Sequence, residues 1–283
     1  MRIIWVYVLS AAFLACASCT GQPTHSAAVP LPRGAHYVAM GSSFAAGPGI
    51  STVVLGSPAR CARSEDNYAH LLARRRGLDL TDASCSGATT AHILGPWNEL
   101  PAQLDAVRAD TRLVTVTIGG NDLGYIGGLI GASCPPLGLT MQLPCHAMVA
   151  PSAADYARLM ENMHAIATEV HRRAPVARLV FVDYVTVLPP TGSCAAAPLS
   201  DADSAIARAI AERLRGLTAA VAQQNRGDLL SASDLTRTHH ACAAESWING
   251  FSRPDPAAPR VPYHPTLASM TAVADALDRL LRR

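Results

Sequence analysis

Apolar and polar positions along this chain follow two alternating rhythms. Short unbroken apolar or β-branched runs are followed by longer stretches in which apolar residues recur at every third or fourth position. Tyr37-Val38-Ala39-Met40, stopped by Gly41, reads as a first strand, and residues 78–80 as a weaker second. Residues 112–118, dense in valine, threonine and isoleucine and closed by Gly119-Gly120, are the clearest strand. Residues 178–183 and 228–231 supply two more. Between them lie helical patterns. Residues 66–76 end at Gly77, and residues 154–173 carry Tyr156, Leu159, Met163, Ile166 and Val170 behind a Ser152 N-cap, with Pro175 enforcing the stop. Residues 201–224 form a long helix, and Leu267, Met270, Val273, Leu277 and Leu280 mark a last one. Strand and helix alternate, which predicts one α/β domain with a parallel sheet covered by helices on both faces.

The N-terminal residues read as an address. Arg2 precedes an apolar run to Ala15, and Ala15-Cys16-Ala17 fits the small-x-small cleavage pattern. A helix of that length spans only ~20 Å against a ~30 Å hydrocarbon core, so residues 1–19 are expected to be a signal peptide for export rather than a permanent anchor. Ala17-Ser18-Cys19 also vaguely resembles a lipoprotein cleavage site, with cysteine where leucine is usual, so a lipid anchor on Cys19 is the second reading. Proline and small residues make 20–35 a linker, and the folded domain is placed at 36–283.

Composition narrows the chemistry. With 49% hydrophobic and 16% charged residues the chain can bury a sizeable core, and a net charge of +2 gives no reason to expect nucleic acid as a partner. All 23 basic residues are arginine, which excludes lysine Schiff-base and P-loop chemistry. Beyond the leader lie Cys61, Cys85, Cys134, Cys145, Cys194 and Cys242, an even set suited to an oxidising compartment. Six cysteines allow 15 connectivities and sequence does not choose among them; the expectation is sequential pairing, since all six fall in predicted loops. No metal-ligand spacing occurs, and His239-His240 beside Cys242 is a poor zinc site because adjacent histidines rarely chelate one ion.

Four loops carry the candidate chemistry. Ser43 follows the first strand, where a tight strand-to-helix turn would hold its hydroxyl at the sheet's C-terminal edge. A hydroxyl needs a base, and His264, before Pro265 and the last helix, is the natural one. Charge developing on an ester carbonyl needs donors already in place; Asn121 offers its side-chain amide, and Gly87 and Ser43 their main-chain N–H groups. Phe44, Ile126, Leu129, Ile130 and Leu137 are candidates for an apolar acyl groove. No acid for the histidine is evident.

At these residues the chain resembles the SGNH hydrolase superfamily, the GDSL esterases and lipases, and within it the secreted actinobacterial branch. Gly41-Ser42-Ser43 resembles its Gly-Asp-Ser block, Cys85-Ser86-Gly87 its glycine block, Gly119-Gly120-Asn121-Asp122 its Gly-x-Asn-Asp block, and Tyr263-His264-Pro265 its closing His block. The resemblance implies a flavodoxin-like three-layer α/β/α sandwich with a central parallel sheet, and three disulfides in agreement with sequential pairing. It implies an acyl-enzyme on Ser43 with His264 as base, and no metal or organic cofactor. The expected substrate is a small-molecule or lipid ester, met by a monomer in peripheral contact with lipid or envelope. Envelope acyltransferase, carbohydrate deacetylase and non-catalytic envelope-binding protein are the alternatives. Two positions depart from the family pattern: Ser42 replaces the aspartate before the serine, and Val261 replaces the acid three residues before the histidine. The main-chain carbonyl of Val261 is therefore the expected acceptor for the His264 Nδ1–H, with Asp255 as substitute acid.

Overall fold

The computed structural model describes Met1 and residues 31–133, 145–251 and 260–283. The leader and most of the linker, Cys134, Leu137 and Asp255 lie outside the described residues. Where the linker meets the domain, Leu31 packs against the core and Gly34 donates its N–H to the Gly77 carbonyl at 2.7 Å.

Among the described residues five parallel strands form one sheet: β1 (His36–Gly41), β2 (Asp79–Asp82), β3 (Thr111–Thr117), β4 (Arg178–Val182) and β5 (Asp228–Leu230), in the order β2-β1-β3-β4-β5. β1, β3 and β4 are buried on both faces, as a parallel sheet between helical layers requires, which is why they read as continuous apolar runs. The order reverses direction at β1, so the loops leaving β1 and β3 diverge from a crevice at the C-terminal edge.

The helices are α1 (Ser43–Ala46), α2 (Tyr68–Arg76), α3 (Thr90–Leu94), α4 (Tyr125–Ala132), α5 (Ala153–Arg173), α6 (Asp201–Gln224), α7 (Ala232–Leu235) and α8 (Leu267–Leu280). α5 starts as its sequence demands. Ser152 Oγ accepts the Asp155 N–H at 3.2 Å while the Asp155 carboxylate accepts the Ser152 N–H at 2.8 Å, a reciprocal capping box. α2 starts two residues later than its periodicity suggests, because the Asn67 side chain caps the N–H groups of Ala69 and His70.

α4 escaped the sequence reading altogether. Its glycines are poor helix formers, and they survive there for packing: a Cβ on Gly128 would stand 2.7 Å from the Met148 sulfur, and one on Gly131 2.6 Å from the His146 ring. Tertiary contact overrides propensity here. α4 also consumes residues expected to line a groove. Leu129 is fully buried, Ile126 and Ile130 nearly so, and all three belong to the core.

Candidate functional site

Three of the four blocks of sequence chemistry leave the C-terminal edge of the sheet, after β1, β2 and β3, and backbone geometry shows how the first does so. β1 stops at Gly41, whose φ of +145° suits glycine; a Cβ there would stand 2.3 Å from the Thr117 carbonyl oxygen of β3. Gln103 clamps the same residue at two points, accepting the Gly41 N–H at 2.7 Å and donating to the Gly41 carbonyl at 3.0 Å. The chain then turns at once into α1, with Ser42 as N-cap and Ser43 as first helical residue.

Ser43 and His264, 221 residues apart, meet there: His264 Nε2 lies 2.7 Å from Ser43 Oγ. Both side chains sit in largely buried residues, with Ser43 at 7% and His264 at 5% exposure. Phe44 packs against the imidazole with ring centroids 5.1 Å apart. Burial lowers the His264 pKa to about 4, against a smaller opposing pull from the Pro262 carbonyl. At neutral pH the ring is therefore neutral.

The acceptor at Nδ1 corrects the sequence expectation. The Pro262 carbonyl, not that of Val261, receives the Nδ1–H, at 2.8 Å. Val261 is occupied elsewhere: its carbonyl accepts the main-chain N–H of His264 at 3.2 Å and the Asn249 amide at 3.3 Å. That first bond closes a β-turn through Pro262 and Tyr263, and Tyr263 has φ +61°. Proline followed by a positive φ is the type II arrangement, in which the central peptide is flipped relative to type I. The flipped peptide carries the Pro262 carbonyl, and it is aimed at the ring. Tyr263 is fully buried and its hydroxyl is hydrogen-bonded to Ser133 Oγ, so the uncommon conformation is held by packing.

Pro265 does not open the last helix. α8 begins at Leu267 behind Thr266, and His264 is fixed by antiparallel pairing with residues 247–249. Asn249 donates to the His264 carbonyl at 2.9 Å, Tyr263 donates to Asn249 at 3.0 Å, and Thr266 donates to Trp247 at 2.8 Å.

The remaining two blocks meet each other. Asn121 donates its amide to the Ala88 carbonyl at 2.8 Å, so it braces the residue after Gly87, whose φ is +82°. The neighbouring Asp122 accepts the Thr90 N–H at 3.1 Å, and Asn162 of α5 donates to the Thr90 hydroxyl at 2.9 Å. Burial raises the Asp122 pKa, partly offset by those Thr90 bonds. No hydrogen bond among the described residues takes up the N–H of Ser43 or Gly87.

Sequence reasoning missed Tyr184, two residues past the end of β4. Its hydroxyl lies 2.8 Å from Ser42 Oγ and accepts the Gly120 N–H at 3.0 Å, joining the serine turn to the Asn121 loop. Gly120 is obligatory beneath it, since a Cβ would come within 2.6 Å of the phenol ring. The only available signal was position, a residue at the sheet's C-terminal edge.

Two expected disulfides are present, Cys61–Cys85 and Cys194–Cys242; the third involves Cys134, outside the described residues. The first ties the residue two before Gly87 to the α1–α2 connection, and Ser86 donates its N–H to the Cys61 carbonyl at 3.2 Å. Among the described residues no group of His, Cys, Asp or Glu is arranged to hold a metal ion, and no helix is long and apolar enough to cross a membrane. His239 stacks on Trp247 at 3.7 Å instead, with Nδ1 donating to the Glu245 carbonyl.

Residues 39–272 match the model of the GDSL-like lipase/acylhydrolase family. The chain is 32% identical over 244 residues to Lipase 2 of Streptomyces coelicolor, covering 81% of each protein. It is 30% identical over 245 residues to a lipase of Streptomyces rimosus, covering 85% of each. Among solved structures, the extracellular lipase of Streptomyces rimosus aligns over 86% of this chain and 98% of its own, with a TM-score of 0.67 and 26% identity. The phospholipase A1 of Streptomyces albidoflavus shares the fold, with a TM-score of 0.69 over 87% of this chain and 99% of its own at 23% identity.

Proposed function

Since the chain belongs to the GDSL-like lipase/acylhydrolase family and is a carboxylic ester hydrolase, we propose that it is an exported enzyme whose ester cleavage runs through an acyl-enzyme on Ser43, with His264 as base. The 2.7 Å contact between His264 Nε2 and Ser43 Oγ carries this reading. With Nδ1–H donated to the Pro262 carbonyl, the tautomer leaves the Nε2 lone pair facing the serine hydroxyl. His264 takes the hydroxyl proton as Oγ attacks the ester carbonyl. The resulting oxyanion is received by the N–H groups of Ser43 and Gly87 and the amide of Asn121, any one of which contributes roughly 3 kcal/mol in comparable hydrolases. His264 then returns the proton to the departing alcohol. Water, deprotonated by the same ring, releases the acid.

A carboxylate beside the histidine would both select the tautomer and stabilise the imidazolium; the Pro262 carbonyl does the first and supplies a dipole for the second. Export is supported by residues 1–19 and by the two disulfides, which persist in oxidising compartments. A fluorophosphonate probe tests the whole reading. It should label the wild type and Ser42→Ala but not Ser43→Ala, and label on Ser43→Ala would overturn the assignment.

A further inference from the structure

A cavity of about 500 Å³ lies on one side of the Gly87 loop, bounded by the edge strand β2, the Cys61–Cys85 bridge and the 3-10 turn Gln103–Ala106. It is distinct from the serine and histidine: neither lines it, whereas Cys85, Arg63, His92, Trp97, Gln103 and Asp105 do.

Hydrogen-bond donors without acceptors distinguish this lining. Arg63 spends only its Nε, on the Ser84 carbonyl at 2.6 Å; its two Nη groups have no partner among the described residues. His92 accepts the Thr89 N–H on Nδ1 at 3.0 Å, so the proton of the neutral ring is on Nε2, and that N–H is likewise unmatched. Trp97, also in the lining, carries a further donor in its indole N–H. His92 and Trp97 are stacked with centroids 4.1 Å apart and planes 10° from parallel, which fixes their edges relative to one another. Asp105 is the one carboxylate in the lining among the described residues, and it is paired with Arg173 at 3.1 Å. Gln103 is committed to Gly41. A neutral polyol needs acceptors as well as donors, whereas an oxyanion needs only donors, and a guanidinium fork is the group best matched to it.

The cavity also borders the loop that carries one of the proposed oxyanion donors. The Gly87 backbone is pressed onto Trp97, where an added Cβ would stand 3.2 Å from the indole, and Cys85 belongs to both the lining and that loop. We propose that this cavity binds an oxyanion group, a phosphate, sulfate or carboxylate, carried on the alcohol half of the ester. The proposal rests on the Ser43–His264 reading for its account of the substrate, not for the anion site itself.

Two esters with one acyl group separate the possibilities: monobutyrin, which is neutral, and butyryl glycerophosphate, which is charged. The wild type should show a KM for the charged ester lower by roughly tenfold, the scale of a hydrogen bond to a charged group. Arg63→Met should abolish that preference while leaving kcat/KM for monobutyrin within about twofold. Should Arg63→Met fold poorly, Trp97→Phe, which keeps the ring and deletes the donor, should reduce the preference with the same selectivity. Calorimetry with inorganic phosphate reads binding without turnover: the wild type should bind it and Arg63→Met at least several-fold more weakly, with Ser43→Ala unchanged. Equal KM values for the two esters with no phosphate binding overturn the proposal while turnover stands. Phosphate binding without the KM difference places the anion site off the substrate path and overturns the alcohol-half assignment. Loss of all ester turnover with phosphate binding intact sinks the hydrolase reading instead.

Discussion

Tyr184 holds Ser42 by a hydroxyl contact of 2.8 Å, and through the Gly120 N–H it holds the Asn121 loop with the same oxygen. Ser42 stands where the family has an aspartate, and the tyrosine supplies a bridge that the shorter serine side chain can reach. Tyr184→Phe keeps the packing on Phe44, whose ring centroid is 4.5 Å away, and leaves the buried Gly120 N–H without a partner. The cost of such an orphan is about 1–3 kcal/mol. We expect Tm to fall by about 5 °C and kcat to fall roughly tenfold, with KM little changed. Unchanged kcat and Tm in the variant would remove Tyr184 from any positioning role.

The buried histidine sets the response to acid. Its pKa is about 4 in the folded protein and about 6.5 when exposed in the unfolded chain. The unfolded state therefore takes up a proton first as pH falls below 6.5, so stability is lost between pH 6.5 and about 4 and reaches its full deficit, ~3 kcal/mol, below that range. kcat/KM should stay level from neutral pH down to about 5 and reach half its plateau near 4. Urea titrations of the wild type and His264→Asn across this window check the stability half: the variant should lack that slope. A kcat/KM inflection near 6.5 would show an imidazole in contact with water.

Tyr263 makes the turn that aims the Pro262 carbonyl, at φ +61°. Alanine pays about 1–2 kcal/mol in that left-handed region and glycine does not. Truncating the buried ring costs both variants several kcal/mol. Tyr263→Gly should nonetheless be more stable than Tyr263→Ala by about 1 kcal/mol, the reverse of the usual ranking. It should also retain more activity, because the turn keeps its type. Denaturant unfolding of the pair, with kcat for each, decides this.

The two described disulfides should divide between stability and activity. Cys61–Cys85 closes 24 residues and Cys194–Cys242 closes 48, so their removal is expected to cost about 3 and about 4 kcal/mol. Only the first braces the Gly87 loop. Cys61→Ala/Cys85→Ala should lower kcat at temperatures where the protein is still folded by circular dichroism, whereas Cys194→Ala/Cys242→Ala should lower Tm alone. Equal kcat in both double variants would detach the first bridge from catalysis.

Much of this molecule was legible from periodicity. β1, β3 and β4 are buried on both faces, so their apolar runs have no competing explanation, and α5 and α6 carry enough turns for their stripes to be unambiguous. α3, α4 and α7 were not legible. Each is short, and α4 is glycine-rich; α4 packs against Met148 and His146, residues outside its own segment. The site divides the same way. Ser43, Gly87, Asn121 and His264 were visible because their residue types and order are chemically restrictive. Tyr184, Gln103 and Pro262 were not, since nothing local distinguishes a tyrosine, a glutamine or a proline that supports a site from one that merely packs.

By itself the sequence determined which groups could react and on which edge of the sheet they would gather, because strand ends and turn residues are properties of short segments. The tertiary structure alone decided that Ser43 and His264 touch, that Pro262 rather than Val261 serves the imidazole, and that Arg63, His92 and Trp97 line one cavity. Those depend on angles between peptides and on burial, which arise only when residues hundreds of positions apart exclude water from one another.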